Sequence, residues 1–147
     1  PNPSDGSWSN SIPSPYKCHD FEAYVVYSCF RSPIFRYDGR NSGYCNEQLN
    51  IIWIQPAESG TSGNLRVAGS ATGAPAGTQI FLRYRDLSVS GSQWVIHPYA
   101  PTTLPDGIWI NDIPNANFNH VYEVRVFYDI VEDSCIYQGT NSITWCQ

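Results

Sequence analysis

Trp94, His97 and Tyr99 stand close together in the sequence, a short way after Arg83, Arg85 and Asp86. These residue types suit recognition of a neutral glycan. An aromatic ring covers the C–H face of a sugar, and planar polar groups bond its hydroxyls. Read as one extended segment, "QWVIHPYA" (93–100) carries the three rings beside outward-pointing Arg83 and Arg85, with Asp86 in the adjoining turn. Those six residues are the candidate ligand-binding set. Trp53 reads as packing, and the amide-rich "NDIPNANFNH" (111–120) reads mostly as turn formers, because Asn caps its own backbone and tolerates left-handed conformations.

Catalytic chemistry finds less support. His19 and His120 occur in the same setting, as His19-x-x-Glu22 and His120-x-x-Glu123, each just before a strand-like run. A pair repeated within a strand framework more often bonds its neighbours than serves a nucleophile. Asp86, Asp106, Asp112 and Glu123 could supply the two carboxylates of a glycosidase, but carboxylates scattered through turns are usually just solvated. The sequence holds no Gly-x-Ser-x-Gly elbow, His-Glu-x-x-His run or phosphate-cradling glycine loop. No enzyme activity, cofactor or metal is expected.

The cysteines fall at 18, 29, 45, 135 and 146, without the paired spacing of a zinc site. Disulfides in an oxidising compartment are the better reading, which places the chain outside the cell or at its surface. "CIYQGTNSITWC" (135–146) reads as a hairpin turning at residues 139–142, which brings Cys135 opposite Cys146. Cys18 and Cys29 flank what reads as one strand, so their Cα atoms would lie about 35 Å apart, beyond bridging reach. Cys29–Cys45 is then expected, with Cys18 left over.

Composition narrows the class further. Charge is sparse and Gly, Pro, Ser, Thr and Asn are abundant, a pattern of short strands joined by turns. The net charge of −5 argues against a nucleic-acid partner, which needs a basic surface. No apolar run reaches the roughly 18 residues of a membrane span. A chain of 147 residues fits one ordinary domain, or a domain with a sizeable appendage.

The appendage is a copy. "DGSWSNSIPSPYKCHDFEA" (5–23) and "DGIWINDIPNANFNHVYEV" (106–124) agree at Asp-Gly-x-Trp, Asn-x-Ile-Pro, His and Glu. The agreement runs on through "HDFEAYVVYS" and "HVYEVRVFYD", shifts by one position, and aligns "YDGRNSGYC" (37–45) with "YQGTNSITWC" (137–146). Residues 5–45 therefore repeat residues 106–146. A period of about 100 residues is that of a β-sandwich module rather than a solenoid.

Residues 46–147 supply the rest of such a module. "LNIIWIQP", "NLRVAGSAT", "TQIFLRYRDL", "QWVIHPYA", "GIWINDI", "HVYEVRVFYD" and the terminal hairpin are extended segments punctuated by Pro, Gly, Asn and Ser. Period two turns Ile80, Leu82 and Tyr84 to one face and Phe81, Arg83 and Arg85 to the other. It likewise separates Tyr122, Val124, Val126 and Tyr128 from Glu123, Arg125 and Phe127. The fold class is all-β, an antiparallel sandwich of seven strands over 46–147, preceded by a partial repeat over 1–45.

"TQIFLRYRD", Trp94 and "IPNANFNHVYEVRVFY" resemble a fibronectin type III domain, within the immunoglobulin-like group of sandwiches. The resemblance implies that Tyr122 is a corner tyrosine whose hydroxyl bonds the upstream turn. It also implies a half-buried packing role for Trp94, which stands beside the glycan role. The chain departs from the family in its cysteines and in Gly69, where a buried Trp is expected. Trp8 with Trp109, and Tyr44 with Trp145, recur between the copies and read as core or sheet packing.

A three-strand remnant would expose an apolar face on Phe21, Ala23, Val25 and Tyr27, together with an open sheet edge. Two functions follow. The first is a secreted, non-catalytic, lectin-like recognition module for carbohydrate. The second is a structural or adhesive building block of an extracellular assembly. In that reading, residues 5–45 pair with strands outside their own copy, either those of the complete module or, by self-association or on another extracellular protein, those of another molecule, and the odd Cys18 favours contact between chains.

Overall fold

Alternation of apolar and polar side chains shapes the long strands of this protein, and none of its described residues is helical. A computed structural model describes residues 8–11, 19–39, 46–129 and 131–146. The chain divides into two compact units, residues 1–46 and 47–147. Among the described residues no helix is long and apolar enough to cross a membrane.

The first unit contains a broken hairpin. Strands β1 (Phe21–Ala23) and β4 (Phe35–Tyr37) pair antiparallel, and so do β2 (Val26–Tyr27) and β3 (Phe30–Arg31). The pairs are Phe21 with Tyr37, Ala23 with Phe35 and Tyr27 with Phe30. Ser32 bridges the break: its amide donates to the Val25 carbonyl at 2.8 Å and its hydroxyl accepts the Val25 amide at 2.8 Å. Glu22 pairs with Arg36 at 2.9 Å, and the Arg31 guanidinium lies 3.6 Å from the centre of the Tyr24 ring. Among the described residues these strands pair with one another.

Among its described residues the second unit has eight strands rather than the seven expected. They are β5 (Gln48–Pro56), β6 (Ser62–Thr72), β7 (Phe81–Asp86), β8 (Val95–Ile96), β9 (Ile108–Asn117), β10 (Tyr122–Tyr128), β11 (Val131–Tyr137) and β12 (Thr144–Trp145). One antiparallel sheet has the order β12-β5-β6-β9 and the other β11-β10-β7-β8. Their inner faces share one core, with Ile54, Leu65, Val67 and Ile113 from the first and Leu82, Val124, Val126 and Tyr137 from the second all fully buried. This is a β-sandwich.

The β10–β11 hairpin repeats the hairpin of the first unit pair for pair. Tyr122–Tyr137, Val124–Cys135 and Tyr128–Val131 stand where Phe21–Tyr37, Ala23–Phe35 and Tyr27–Phe30 stand. Both turns carry a residue in the left-handed region at the same place, Ser28 with φ 54° and Asp129 with φ 52°. The extra residue of the first copy falls between Phe30 and Phe35, where its ladder breaks at Ser32. The duplication seen in sequence is thus also a duplication of register.

The end of the chain corrects the sequence reading. Cys135 and Cys146 are bridged, with Cα atoms 5.8 Å apart, but not as two arms of a hairpin. Strand β11 pairs with β10, while β12 crosses to the opposite sheet and pairs with β5, so the disulfide joins the two sheets. Trp145 ends on that edge strand, 66% exposed, rather than in the core. Cys29 is an exposed free thiol, so the expected Cys29–Cys45 bridge is absent. Cys18, Tyr44 and Cys45 lie outside the described residues.

Candidate functional site

The outer face of the β11-β10-β7-β8 sheet gathers the charged and aromatic side chains of the second unit. In β7 and β10, inward Leu82, Val124 and Val126 are fully buried, which forces Phe81, Arg83, Arg85, Glu123, Arg125 and Phe127 outward. Register then decides who meets whom: Arg85 lies opposite Glu123, Arg83 opposite Arg125 and Phe81 opposite Phe127. Strand β8 adds Ile96 opposite Arg83, and Trp94, two residues earlier, joins the same face.

Trp94 is the centre of this arrangement. The guanidinium carbons of Arg83, Arg85 and Arg125 lie 5.0, 4.9 and 4.9 Å from its ring centre. Each such contact is worth about 0.5–1 kcal/mol near a surface, so together they hold the two-residue edge strand to its sheet. Glu123 bonds two of the three arginines, with Arg85 Nη2 at 2.6 Å and Arg125 Nη2 at 3.0 Å. Burial would raise the Glu123 pKa, but hydrogen bonds from Arg125 and Arg85 outweigh it and hold the carboxyl below its ordinary value. Phe81 and Phe127 stack with ring centres 5.6 Å apart.

The structure brings Trp94, Arg83 and Arg85 together and separates the other three candidates from them. Residues 93–100 are not one strand; β8 is confined to Val95–Ile96. His97, an odd number of residues from Trp94, turns inward and is buried, and its Nδ1 accepts the Tyr99 amide at 3.1 Å. Asn111 donates to the Tyr99 carbonyl at 2.9 Å, while the Tyr99 ring is exposed. Asp86 serves a turn: one oxygen lies 2.7 Å from His120 Nδ1 and the other accepts the Ser88 amide at 2.9 Å. Trp94 itself is half-buried, with cations against its ring, so it offers no bare stacking platform.

The remaining carboxylates weighed for chemistry are also engaged. Asp112 pairs with Arg66 at 2.8 Å, and Asp106 accepts the Ile108 amide at 3.0 Å. Among the described residues no group of three or more His, Cys, Asp or Glu side chains is arranged to hold a metal ion.

Beside Trp94 the face dips into a cleft of about 160 Å³ lined by Arg83, Phe127, Asp129 and Glu132. The sequence reading placed Arg125 and Phe127 on the outward face but did not bring them to Arg83. The signal was present in the matched alternation of "FLRYRD" and "YEVRVFY"; what was missing was their adjacency. Comparison with family models, curated proteins and solved structures finds no match for this chain.

Proposed function

We propose that this chain is a non-catalytic building block of an extracellular assembly, a fibronectin type III-like sandwich whose partial repeat docks onto a neighbouring chain. Two features support the family likeness, and a third bears on location. Strands β12, β5, β6 and β9 form one sheet and β8, β7, β10 and β11 the other. The Tyr122 hydroxyl accepts the Asn117 amide at 2.9 Å, as a corner tyrosine does. The Cys135–Cys146 bridge supports an oxidising, secreted or cell-surface location.

One observation carries the assembly reading: matched residues of the two copies differ in burial. Tyr27 is 80% exposed where Tyr128 is 5%, and Trp8 is 59% exposed where Trp109 is 1%. Phe30, Phe35 and Tyr37 are exposed as well. Among the described residues of the first unit, no strand stands where the second unit's strands cover these positions. Burying a large apolar side chain contributes about 1.5–3 kcal/mol, so a surface able to cover this hairpin gains substantially. Its opposite face, with the Glu22–Arg36 pair and Arg31 over Tyr24, suits water.

Sedimentation velocity of the full chain over a range of concentrations tests this. Self-association that disappears in a Tyr27→Ser/Phe35→Ser variant, with the melting of the second unit unchanged, is the expected result. A full chain that stays monomeric to its solubility limit and retains no extracellular protein partner defeats the reading.

A second reading, carbohydrate recognition, is favoured by the gathering of arginines and aromatic rings on the outer face of the β11-β10-β7-β8 sheet. Binding of the full chain to an oligosaccharide array is its test.

A further inference from the structure

We propose that the cleft lined by Arg83, Phe127, Asp129 and Glu132 binds one ring of a neutral sugar. This deepens the carbohydrate reading and rests on it, but moves the contact away from His97, Tyr99 and Asp86. Phe127, stacked on Phe81 at 5.6 Å, supplies an aromatic wall for the C–H face of a sugar.

Arg83 supplies the donor. Its guanidinium lies between Trp94 and Phe127, 5.0 and 6.0 Å from their ring centres. It makes no hydrogen bond or ion pair among the described residues, and its Nε is buried without an acceptor. Stacking has therefore already cost this side chain its rotamer freedom while leaving its N–H groups unspent, the condition in which a ligand gains most from an added acceptor. A planar fork of N–H donors matches two adjacent hydroxyl oxygens, and the carboxylate of Glu132 can accept from a sugar hydroxyl in turn.

Charge selects the ligand class. Arg83, Arg85 and Arg125 face Glu123, Asp129 and Glu132, with Asp133 at the rim, so negative groups at least match the positive ones across the site. A balanced face has no field to concentrate a polyanion, whereas mixed fixed dipoles suit an uncharged polyol. The occupant is accordingly a neutral sugar rather than a sulfated or uronic chain.

An array of neutral and sulfated oligosaccharides, probed with the full chain, tests the inference. The strongest neutral binder would then be titrated by calorimetry against variants. Arg83→Lys keeps the charge but loses the fork, and Glu132→Gln changes the exposed rim without touching the core. Each should weaken binding about tenfold, the size of one lost hydrogen bond; Glu132→Gln should leave the melting temperature unchanged, and Arg83→Lys should lower it by no more than the loss of its stacking on Trp94. Tyr99→Ala should bind like the parent. Neutral-sugar binding that survives both cleft variants overturns the cleft while leaving the carbohydrate reading intact. Preference for sulfated chains overturns the ligand class, and no binding at all overturns both.

Discussion

Trp109 occupies the space that a side chain at position 69 would need. The two residues lie opposite each other on β9 and β6, and a methyl group built on Gly69 would overlap both the indole and the Asn50 carbonyl. The ladder between β5 and β6 shifts register beside this point, between Ile51 and Trp53. Gly69 stood out in sequence as the place where a buried Trp was expected. The core obtains its Trp from the neighbouring strand instead, and position 69 must be empty to receive it. Gly69→Ala should cost at least about 2 kcal/mol, because overpacking here meets backbone as well as a fully buried ring. An unchanged urea midpoint would refute this account.

The Cys135–Cys146 bridge joins strands of opposite sheets across a sequence separation of 11 residues. Closing a loop of that size removes chain entropy from the unfolded state worth about 3 kcal/mol. Replacing both cysteines by serine should lower stability by about that amount, and reduction of the parent should match it. If the fully reduced protein melts at the same temperature as the oxidised one, the bridge contributes nothing to holding the sheets.

The Tyr122 hydroxyl accepts the Asn117 amide at 2.9 Å. Tyr122→Phe retains the packing but leaves a partly buried N–H without its acceptor, a loss of about 1–3 kcal/mol. Hydrogen exchange should localise the change: the Asn117 amide loses protection while Val124 and Val126 keep theirs. Equal loosening along all of β10 would argue against a local bond.

Glu123 gives the fold an acid sensitivity whose sign is fixed. Its carboxyl is held below the ordinary value by Arg125 and Arg85 against the opposing effect of burial. A depressed folded pKa stabilises above the unfolded value of about 4.3 and is lost as pH falls through the folded pKa. Glu123→Gln should therefore flatten the fall in stability below about pH 4, measured by urea unfolding across that range. A variant with the parent's acid limb would show that the pair is idle.

Tyr128 acts at the other end of the scale. Burial, with added repulsion from Glu47, pushes its hydroxyl up to about 12. A raised folded pKa gives stability that is complete below the unfolded value of about 10 and fades as pH rises towards 12. Tyr84, Tyr122 and Tyr137 are raised too, mainly by burial, so the alkaline loss is shared among several hydroxyls. Tyr128→Phe should make the decline above pH 10 shallower without abolishing it. An identical alkaline slope in the two proteins would contradict the assignment.

Much of the sandwich was legible because strand faces follow from a period of two. Ile80 and Leu82, and likewise Tyr122, Val124, Val126 and Tyr128, are buried in the alternation the sequence displays. The same rule separates Trp94 from His97, which the reading of residues 93–100 as one ligand-binding strand had set side by side. Three steps along an extended chain reverse the face, so His97 turns inward to Tyr99 while Trp94 turns out to the arginines.

Sequence alone determined the all-β class, the internal copy and the partners of the one bridge described, since alternation, spacing and self-similarity are properties of the chain itself. Tertiary structure alone decided which strands became neighbours. β12 leaves β11 for β5, turning an expected hairpin staple into a link between sheets, and β10 sets Arg125 against Trp94 beside Arg83 and Arg85. The physical reason is that alternation specifies which face a side chain takes, whereas pairing between distant strands is chosen by how well whole faces pack.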